Sequence, residues 1–242
     1  MTQHPTDATT DASGLRRLRG SALDDAIAQR FTVADEAVTV GVGHAQRQYV
    51  LRKPANADHL ISEADYVMDE RLPYWADLWP SARQLAATLL AEVGEGRTLL
   101  EMGCGLGLPT LAATDAGFAV TATDYYEDAL HVARANVARN LGVEPIVRLV
   151  NWRAWPDDLG RFDVVIAADV LYEKEYATLV SQCIAKALAP GGEAIVADPG
   201  RLALPAFLAA LPDAGLRVHD HQTVPYHEGT INQLIQIIRL RR

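Results

Sequence analysis

Acidic residues stand in or directly behind three short apolar runs of the sequence. "TLLEMG" contains Glu101, "FAVTATD" ends in Asp124, and "FDVVIAAD" ends in Asp169, with Tyr172 three positions later. Carboxylates at such places can bind an ammonium group or accept hydrogen bonds from hydroxyls, and a phenol beside a carboxylate can orient an amine. These side chains predict a site for cationic and hydroxyl-bearing groups, provided that one fold brings them together.

A glycine-rich segment, "EMGCGLGLP", overlaps the first of these runs. Gly103, Gly105 and Gly107 let the backbone pass close to a ligand, but the dinucleotide fingerprint GxGxxG would need a glycine at position 108, which is leucine. Glu101 at the mouth of this loop would repel a diphosphate and would suit a positive ammonium group. Asp124, seventeen positions after Gly107, lies where an acid at the tip of the next strand can bind both hydroxyls of a ribose. Together these features predict S-adenosylmethionine, which carries a ribose and an amino-acid ammonium group.

The same residues carry a family resemblance. "LLEMGCGLG" resembles motif I of the class I, or seven-β-strand, S-adenosylmethionine-dependent methyltransferases, and "VTATD" resembles the strand that ends in their ribose-binding acid. The spelling Asp169-Val-Leu-Tyr172 is similar to the DxxY motif of a subgroup that acts on protein lysines, whereas the nucleic-acid amino methyltransferases of this class usually carry (D/N)PP(Y/F) there. "ADPGR", residues 197–201, resembles a turn in the relatives that methylate the electron-transfer flavoprotein β subunit. The resemblance covers roughly residues 70–240 and implies that Asp169 and Tyr172 are catalytic, with the carboxylate holding a lysine ammonium and the phenol orienting the amine.

Further cofactor-binding residues are implied by the same resemblance. "PYWADLWPSARQLA" is similar to the segment before motif I, with Trp79 at the position that closes over the cofactor. "VNWRAW" resembles a segment that often reads LDW, so Trp152 would flank the adenine. Asn151 replaces the acid of that motif, and its carbonyl could still accept the bond from the adenine amino group. Tyr125 and Ala168 complete the predicted set.

Most of these residues also have a purely structural interpretation. Glycines recur in tight turns between the strands and helices of every α/β protein. Trp79 could pack on Trp75, four residues earlier, and Tyr172 could pack on its neighbours at the start of a helix. Cys104 inside the glycine loop is interpreted as small filler, and the seven histidines show no ligand spacing, so no metal is expected.

The elements that must position these residues can be predicted from the hydrophobic pattern. From Thr98 onward, short apolar runs alternate with amphipathic helical stretches, which predicts an α/β fold with a doubly wound, mostly parallel seven-stranded Rossmann-like sheet. "LRVHDHQTVPY" and "INQLIQIIRL" predict an antiparallel C-terminal edge hairpin, and "AVTVGVG" with "QRQYVLRKP" predicts a short N-terminal β-hairpin extension. The predicted organisation is a flexible polar tail over residues 1–22, an N-terminal extension with the hairpin over residues 23–70, and the methyltransferase domain over residues 71–242.

Composition limits the class of partners. The 242 residues include 22 basic and 31 acidic ones, a net charge of −9, which argues against a sequence-independent grip on nucleic acid by the whole surface. Two cysteines, Cys104 and Cys183, cannot build a disulfide framework, and the polar first twenty residues predict neither a signal peptide nor a membrane anchor. We therefore expect a cytoplasmic monomer without nucleic-acid or membrane partners.

The leading hypothesis is an S-adenosylmethionine-dependent methyltransferase that modifies a protein side chain, lysine in preference to others, without a metal. A small-molecule N- or O-methyltransferase is the first alternative, because relatives with similar cofactor loops act on amines and hydroxyls. The alternative from another class is a non-catalytic regulatory protein that binds S-adenosylmethionine.

Overall fold

The computed structural model describes residues 14–41, 43–60 and 73–242, so the predicted domain boundary at residue 70 lies outside the described residues. The helices in the described part are α1 (Gly20–Arg30), α2 (Pro80–Leu90), α3 (Leu108–Asp115), α4 (Glu127–Leu141), α5 (Tyr176–Ala187) and α6 (Leu204–Ala210). The strands are β1 (Val33–Val40), β2 (Arg47–Pro54), β3 (Thr98–Met102), β4 (Ala119–Asp124), β5 (Ile146–Leu149), β6 (Phe162–Ala168), β7 (Leu188–Asp198), β8 (Arg217–Glu228) and β9 (Ile231–Arg241). None of the helices in these ranges has the length and apolar character needed to cross a bilayer.

The central sheet has seven strands in the order β5-β4-β3-β6-β7-β9-β8, and β1 pairs with β2 in a separate hairpin. The first five strands of this order pair in parallel. Strand β9 pairs antiparallel with β7 on one side and with β8 on the other. The predicted fold class is confirmed, including both hairpins. Strand order reverses between β3 and β6, because β4 and β5 extend the sheet to one side and β7 to the other. This reversal opens a crevice outside the carboxyl ends of β3 and β6.

Neighbouring residues of the parallel strands point to opposite faces of the sheet, and helices cover both faces. Leu99 of β3 and Ile166 of β6 pack in one buried cluster with Leu85 of α2. Leu100 of β3 packs on the other face in a cluster with Phe207 of α6. The central parallel strands are therefore mostly apolar, and apolar and polar residues do not alternate in them. Helix α6 was not predicted, since its seven residues are too few to show a helical period.

The N-terminal segment, predicted to be a flexible polar tail over residues 1–22, contacts α4 where the structure describes it. In its described part, Leu15–Arg17 form a 3-10 turn, and the Leu15 side chain is buried. The guanidinium of Arg134 in α4 donates hydrogen bonds to the carbonyls of this turn, at 2.8 Å to Leu15 and 3.1 Å to Arg16. The polar composition of this segment does not reveal these contacts, because the arginine that makes them lies elsewhere in the chain. Residues 1–13 lie outside the described residues.

The N-terminal hairpin docks on α4 through two asparagines that bind the backbone of β2. Asn136 accepts a hydrogen bond from the Arg52 N–H at 2.7 Å, and it donates to the carbonyls of Arg52 at 3.0 Å and Leu106 at 2.9 Å. Asn140, one turn later, binds the N–H and carbonyl of Val50 in the same way, both at 2.9 Å. Asn136 is fully buried and Asn140 is partly exposed. Asn136 thus ties the hairpin and the loop after β3 to one helix.

Replacing Asn136 by alanine should lower the free energy of unfolding by about 2–4 kcal/mol, because buried backbone groups then lose their partners. The matched change Asn140→Ala removes an equivalent pair of bonds at a partly exposed position and should cost less than about 1 kcal/mol. Urea denaturation measures both values. Equal losses in the two variants would contradict the role given to Asn136.

Candidate functional site

A crevice of about 390 Å³ lies outside the carboxyl ends of β3, β4 and β6, within the size range of small-molecule pockets. Its walls are the glycine loop after β3, the tip of β4, the segments after β5 and β6, and the segment before α2. The structure brings every residue predicted for the site to this crevice: Trp79, Glu101, Gly103, Gly105, Gly107, Asp124, Tyr125, Asn151, Trp152, Ala168, Asp169 and Tyr172. Their placement at one rim follows from the strand order, and their roles stay predictions.

The loop after β3 needs glycine for conformation and for packing. Positive φ angles of 74°, 50° and 82° are found at Gly103, Gly105 and Gly107. Residues that carry a side chain rarely adopt such positive φ angles, whereas glycine adopts them readily. A Cβ at Gly107 would lie 2.7 Å from the Cβ of Ala133 in α4, so the loop and the helix could not approach so closely with another residue. A Cβ at Gly103 would lie 3.6 Å from the Trp152 ring, on the wall of the crevice.

Glu101 of β3 is 1% exposed and lines the crevice. The hydroxyl of Thr110, in the first turn of α3, donates a hydrogen bond to Glu101 Oε2. The pKa of the Glu101 carboxyl is raised to about 8, chiefly by burial; the Thr110 hydrogen bonds lower it, and the nearby Asp124 carboxylate raises it. No cation in the described part of the chain forms an ion pair with Glu101. A cationic ligand group beside this carboxyl would therefore favour its ionised form.

Asp124 is fixed at the tip of β4 by the backbone. Its carboxylate accepts hydrogen bonds from the N–H of Gly105 at 3.0 Å and the N–H of Tyr126 at 2.9 Å. Burial raises the pKa of Asp124 while these N–H groups lower it. A carboxylate that accepts two hydrogen bonds keeps further lone pairs, so Asp124 can still accept bonds from ligand hydroxyls. Tyr125 beside it is 46% exposed.

Asn151 and Trp152 line the part of the crevice that follows β5. The side-chain carbonyl of Asn151 accepts the N–H of Arg153 at 3.0 Å and caps a short 3-10 turn. This bond uses one lone pair of the Asn151 side-chain oxygen, which is the atom predicted to accept a hydrogen bond from the adenine amino group. Its second lone pair remains available for that bond. Trp152 packs edge-on against Tyr176, with ring centroids 5.7 Å apart. Its buried Nε1–H has no hydrogen-bond partner among the residues that the structure describes.

Asp169 follows β6 in a left-handed backbone conformation, with a φ of 59°. Its Oδ1 accepts a hydrogen bond from Arg201 Nη1 at 2.5 Å, and its Oδ2 accepts the N–H of Ser81 in the first turn of α2 at 3.1 Å. Burial raises the pKa of Asp169, and the positive charge of Arg201 lowers it. The sequence pattern did not predict this ion pair. Each carboxylate oxygen still has a lone pair to offer.

Five aromatic side chains, which we call the aromatic wall, line the crevice in the order Trp79, Tyr74, Tyr172, Tyr176 and Trp152. Consecutive ring centroids in this order are 6.0, 5.6, 4.7 and 5.7 Å apart. Tyr74 and Tyr172 are each 44% exposed. Burial of the Tyr172 hydroxyl raises its pKa, so this phenol stays protonated at neutral pH. The wall therefore combines exposed ring surface with a hydroxyl that keeps its proton.

Several residues at the crevice or in contact with its acids were not predicted: Tyr74, Ser81, Thr110, Tyr176 and Arg201. The position of Arg201 in the "ADPGR" turn, directly behind β7, is a signal that could have found it. The others lie on helices or before them, where the contact depends on how the segment packs. Trp75, considered as the packing partner of Trp79, packs instead on Phe31, with ring centroids 6.2 Å apart.

The chain is similar in sequence to known methyltransferases. The family model described as "Methyltransferase domain" matches residues 99–192. An electron transfer flavoprotein beta subunit lysine methyltransferase of Danio rerio is 30% identical over 133 residues, which cover 53% of this chain and 51% of that protein. The protein-lysine methyltransferase METTL21E of Mus musculus is 32% identical over 132 residues, covering 49% of this chain and 54% of that protein. The chain thus spans about half the length of these curated relatives.

Solved structures share the fold. The magnesium protoporphyrin IX methyltransferase of Synechocystis PCC 6803, solved with bound S-adenosylmethionine, has a TM-score of 0.54 to this chain at 20% identity. The match covers 74% of this chain and 85% of that one. At this level of identity the likeness concerns the fold, and it agrees with the sheet order described above.

Glu101→Gln should change how stability depends on pH. The pKa of this carboxyl is about 8 in the folded protein and 4.5 in a model peptide, so its contribution is complete below pH 4.5 and is lost as pH rises to 8. Without added ligand, the wild type should lose up to about 1.4 kcal/mol per pH unit relative to the variant across this window. Urea unfolding at several pH values measures this difference. Parallel stability curves for the two proteins would contradict the raised pKa.

Proposed function

We propose that this chain is an S-adenosylmethionine-dependent enzyme of the class I methyltransferase family, which methylates a protein side chain with lysine as the acceptor. The matched methyltransferase domain model and the lysine methyltransferase relatives support the family and the cofactor that the sequence resemblance predicted. The observation that carries the proposal is the meeting of Glu101, Asp124 and Asp169 around one crevice beside the glycine loop.

The residues near β3 and β4 fit the polar parts of S-adenosylmethionine. This cofactor supplies an electrophilic methyl group on a sulfonium. Glu101, which accepts a hydrogen bond from the neutral Thr110 hydroxyl, would take the amino-acid ammonium group directly or through water. Asp124 would accept hydrogen bonds from the ribose hydroxyls, and the loop glycines Gly103, Gly105 and Gly107 would allow close approach of the backbone.

The rest of the crevice fits the adenine end and excludes water. Trp152 would pack on the adenine, and Asn151 would accept a bond from its amino group with the remaining lone pair. Trp79, Tyr125 and Ala168 line the same crevice and would shield the cofactor from solvent. These five residues complete the proposed cofactor site.

Methyl transfer to lysine requires an uncharged amine that is aligned with the methyl group in a place with little water. Asp169 would attract the lysine ammonium and hold it while the proton leaves to solvent. Tyr172 would orient the nitrogen through its oxygen, and its ring would pack on the alkyl stem. The exposed parts of Tyr74 and Tyr172 would leave the mouth accessible to a side chain of another protein.

Lysine is proposed as the acceptor on three grounds. The sequence from Asp169 to Tyr172 resembles the DxxY motif of lysine methyltransferases. The two curated relatives named above are described as lysine methyltransferases. Aromatic rings such as those of the aromatic wall attract a cation and pack on an apolar stem, and a lysine side chain has both.

The proposal extends to the setting in which the enzyme works. Cys104 and Cys183 are buried and unpaired, which supports a reducing compartment such as the cytoplasm. The net charge of −9 supports a protein acceptor over nucleic acid, since phosphate contacts need basic surface.

Glu101→Gln and Asp124→Asn should each weaken S-adenosylmethionine binding by at least about tenfold, because each removes the charge proposed to contact the ammonium or ribose. Isothermal titration at neutral pH measures the affinity. Glu193→Gln, an acid paired with Arg239 in the sheet away from the crevice, is the matched control and should bind like the wild type. If the wild type does not bind S-adenosylmethionine, the proposed function is wrong. If Glu101→Gln and Asp124→Asn both bind it with wild-type affinity, the roles assigned to the two acids are wrong.

Methyl-labelled S-adenosylmethionine and a cell extract from the source organism should yield label in a protein band that protease removes. Asp169→Asn and Tyr172→Phe keep the side-chain shape and remove the charge or the hydroxyl, so each should slow labelling by at least about tenfold. Tyr226→Phe, which removes a hydroxyl that contacts Glu228 on β8, is the matched control and should label at the wild-type rate.

The distribution of label separates the alternatives. Label confined to the small-molecule fraction would contradict a protein acceptor and favour a small-molecule N- or O-methyltransferase. No label, with cofactor binding intact, would contradict catalysis and favour a regulatory protein.

A further inference from the structure

We propose that Arg201 is a positioning residue of the acceptor site, which holds the Asp169 carboxylate and the Trp79 ring in place. This inference rests on the proposed function, because it concerns the residues assigned to the acceptor. Arg201 itself lines the crevice, but it is argued to act through Asp169 and not on the reacting atoms.

The Arg201 guanidinium joins three elements of the crevice. Its Nη1 donates hydrogen bonds to Asp169 Oδ1 behind β6 at 2.5 Å and to Asp198 Oδ2 at the end of β7 at 3.1 Å. Its Cζ lies 5.8 Å from the centroid of the Trp79 ring, at the N-cap of α2. One side chain therefore fixes the ends of two neighbouring strands relative to the helix that borders the crevice.

The turn after β7 places Arg201 beside Asp169. Asp198 is fully buried, and its Oδ1 accepts the N–H groups of Gly200 at 2.8 Å and Arg201 at 2.7 Å. Gly200 has a φ of 83°, which a side chain would disfavour. The same aspartate thus fixes the backbone of the turn with one oxygen and the guanidinium with the other.

A cation beside Asp169 favours the charged form of this carboxyl. Its side chain is 6% exposed, and burial without a cation raises the pKa of a carboxyl group. Arg201 and the Ser81 N–H lower its pKa, whereas burial and the Asp198 charge raise it. Other acids also line this crevice: Asp77, Glu101, Asp124, Glu173 and Glu175. Among the described residues, Arg201 is the cation that forms an ion pair with Asp169.

A guanidinium suits this place better than an ammonium. Its planar fork can bond two carboxylates and lie over an aromatic ring at the same time, while a lysine ammonium is a compact point charge. Arg201→Lys should therefore keep the charge beside Asp169 and lose the contact with Trp79. Arg201→Gln should lose both.

The test compares the pH dependence of protein labelling, with labelled S-adenosylmethionine and cell extract, in the wild type, Arg201→Gln and Arg201→Lys. Loss of the opposite charge should move the acidic limb of the rate profile to higher pH by about 1–3 units in Arg201→Gln, and by less in Arg201→Lys. The loss of rate in Arg201→Gln should shrink as pH rises, since Asp169 then ionises without its partner. Arg241→Gln, which removes an arginine paired with Glu193, is the matched control and should keep the wild-type profile.

Titration with S-adenosylmethionine accompanies each profile, and saturable binding shows that the variants are folded; the affinity should fall by no more than about tenfold, because Trp79 loses its contact with the Arg201 guanidinium in both. If Arg201→Gln does not bind the cofactor, the inference is tested on the pH profile of Arg201→Lys alone. An acidic limb moved to higher pH by less than about 1–3 units supports the inference, and a wild-type profile overturns it. Wild-type labelling with an unshifted Arg201→Gln profile overturns this inference alone. No labelling by the wild type overturns the proposed function, and this inference falls with it.

Discussion

The burial of acidic side chains in one crevice is the constraint on which the rest of the site depends. Glu101, Asp124 and Asp169 stand at the ends of β3, β4 and β6, and desolvation raises the pKa of each. Their compensation differs: the hydroxyl and the backbone of Thr110 for Glu101, backbone N–H groups for Asp124, and a guanidinium with a backbone N–H for Asp169. Glu101 has a pKa raised to about 8 and no ion-pair partner among the described residues, so a cationic ligand group would change its ionisation at neutral pH.

Helix α4 connects the outer parts of the protein to this crevice. Ala133 packs against Gly107 with no room for a Cβ, and Asn136 binds the Leu106 carbonyl together with the backbone of β2. Arg134, on the same helix, holds the carbonyls of the N-terminal turn. The glycine loop, which lines the crevice, is therefore held in place by its contacts with α4.

The aromatic wall has a cation over the ring at one end and another over the ring next to its other end. Arg201 lies over the Trp79 ring, 5.8 Å from its centroid, and Arg153 lies over the Tyr176 ring at 5.5 Å. Ring faces attract cations through their quadrupole, and the attraction is stronger where water is excluded. The rings of Trp79 and Tyr176 are thus occupied by the protein's own guanidinium groups, whereas Tyr74 and Tyr172, which lie between them, keep exposed surface at the mouth.

The sequence alone determined the fold class, both hairpins, and the residues that meet at the crevice, because strand ends and hydrophobic periods are local properties and parallel strands end at one edge. Only the tertiary structure decided what each of these residues contacts. The pairing of Asp169 with Arg201 joins positions 32 apart, and the contact of Arg134 with the N-terminal turn joins positions more than a hundred apart. Such partners follow from how helices and turns pack on the sheet, and composition and spacing do not encode that geometry in any local pattern.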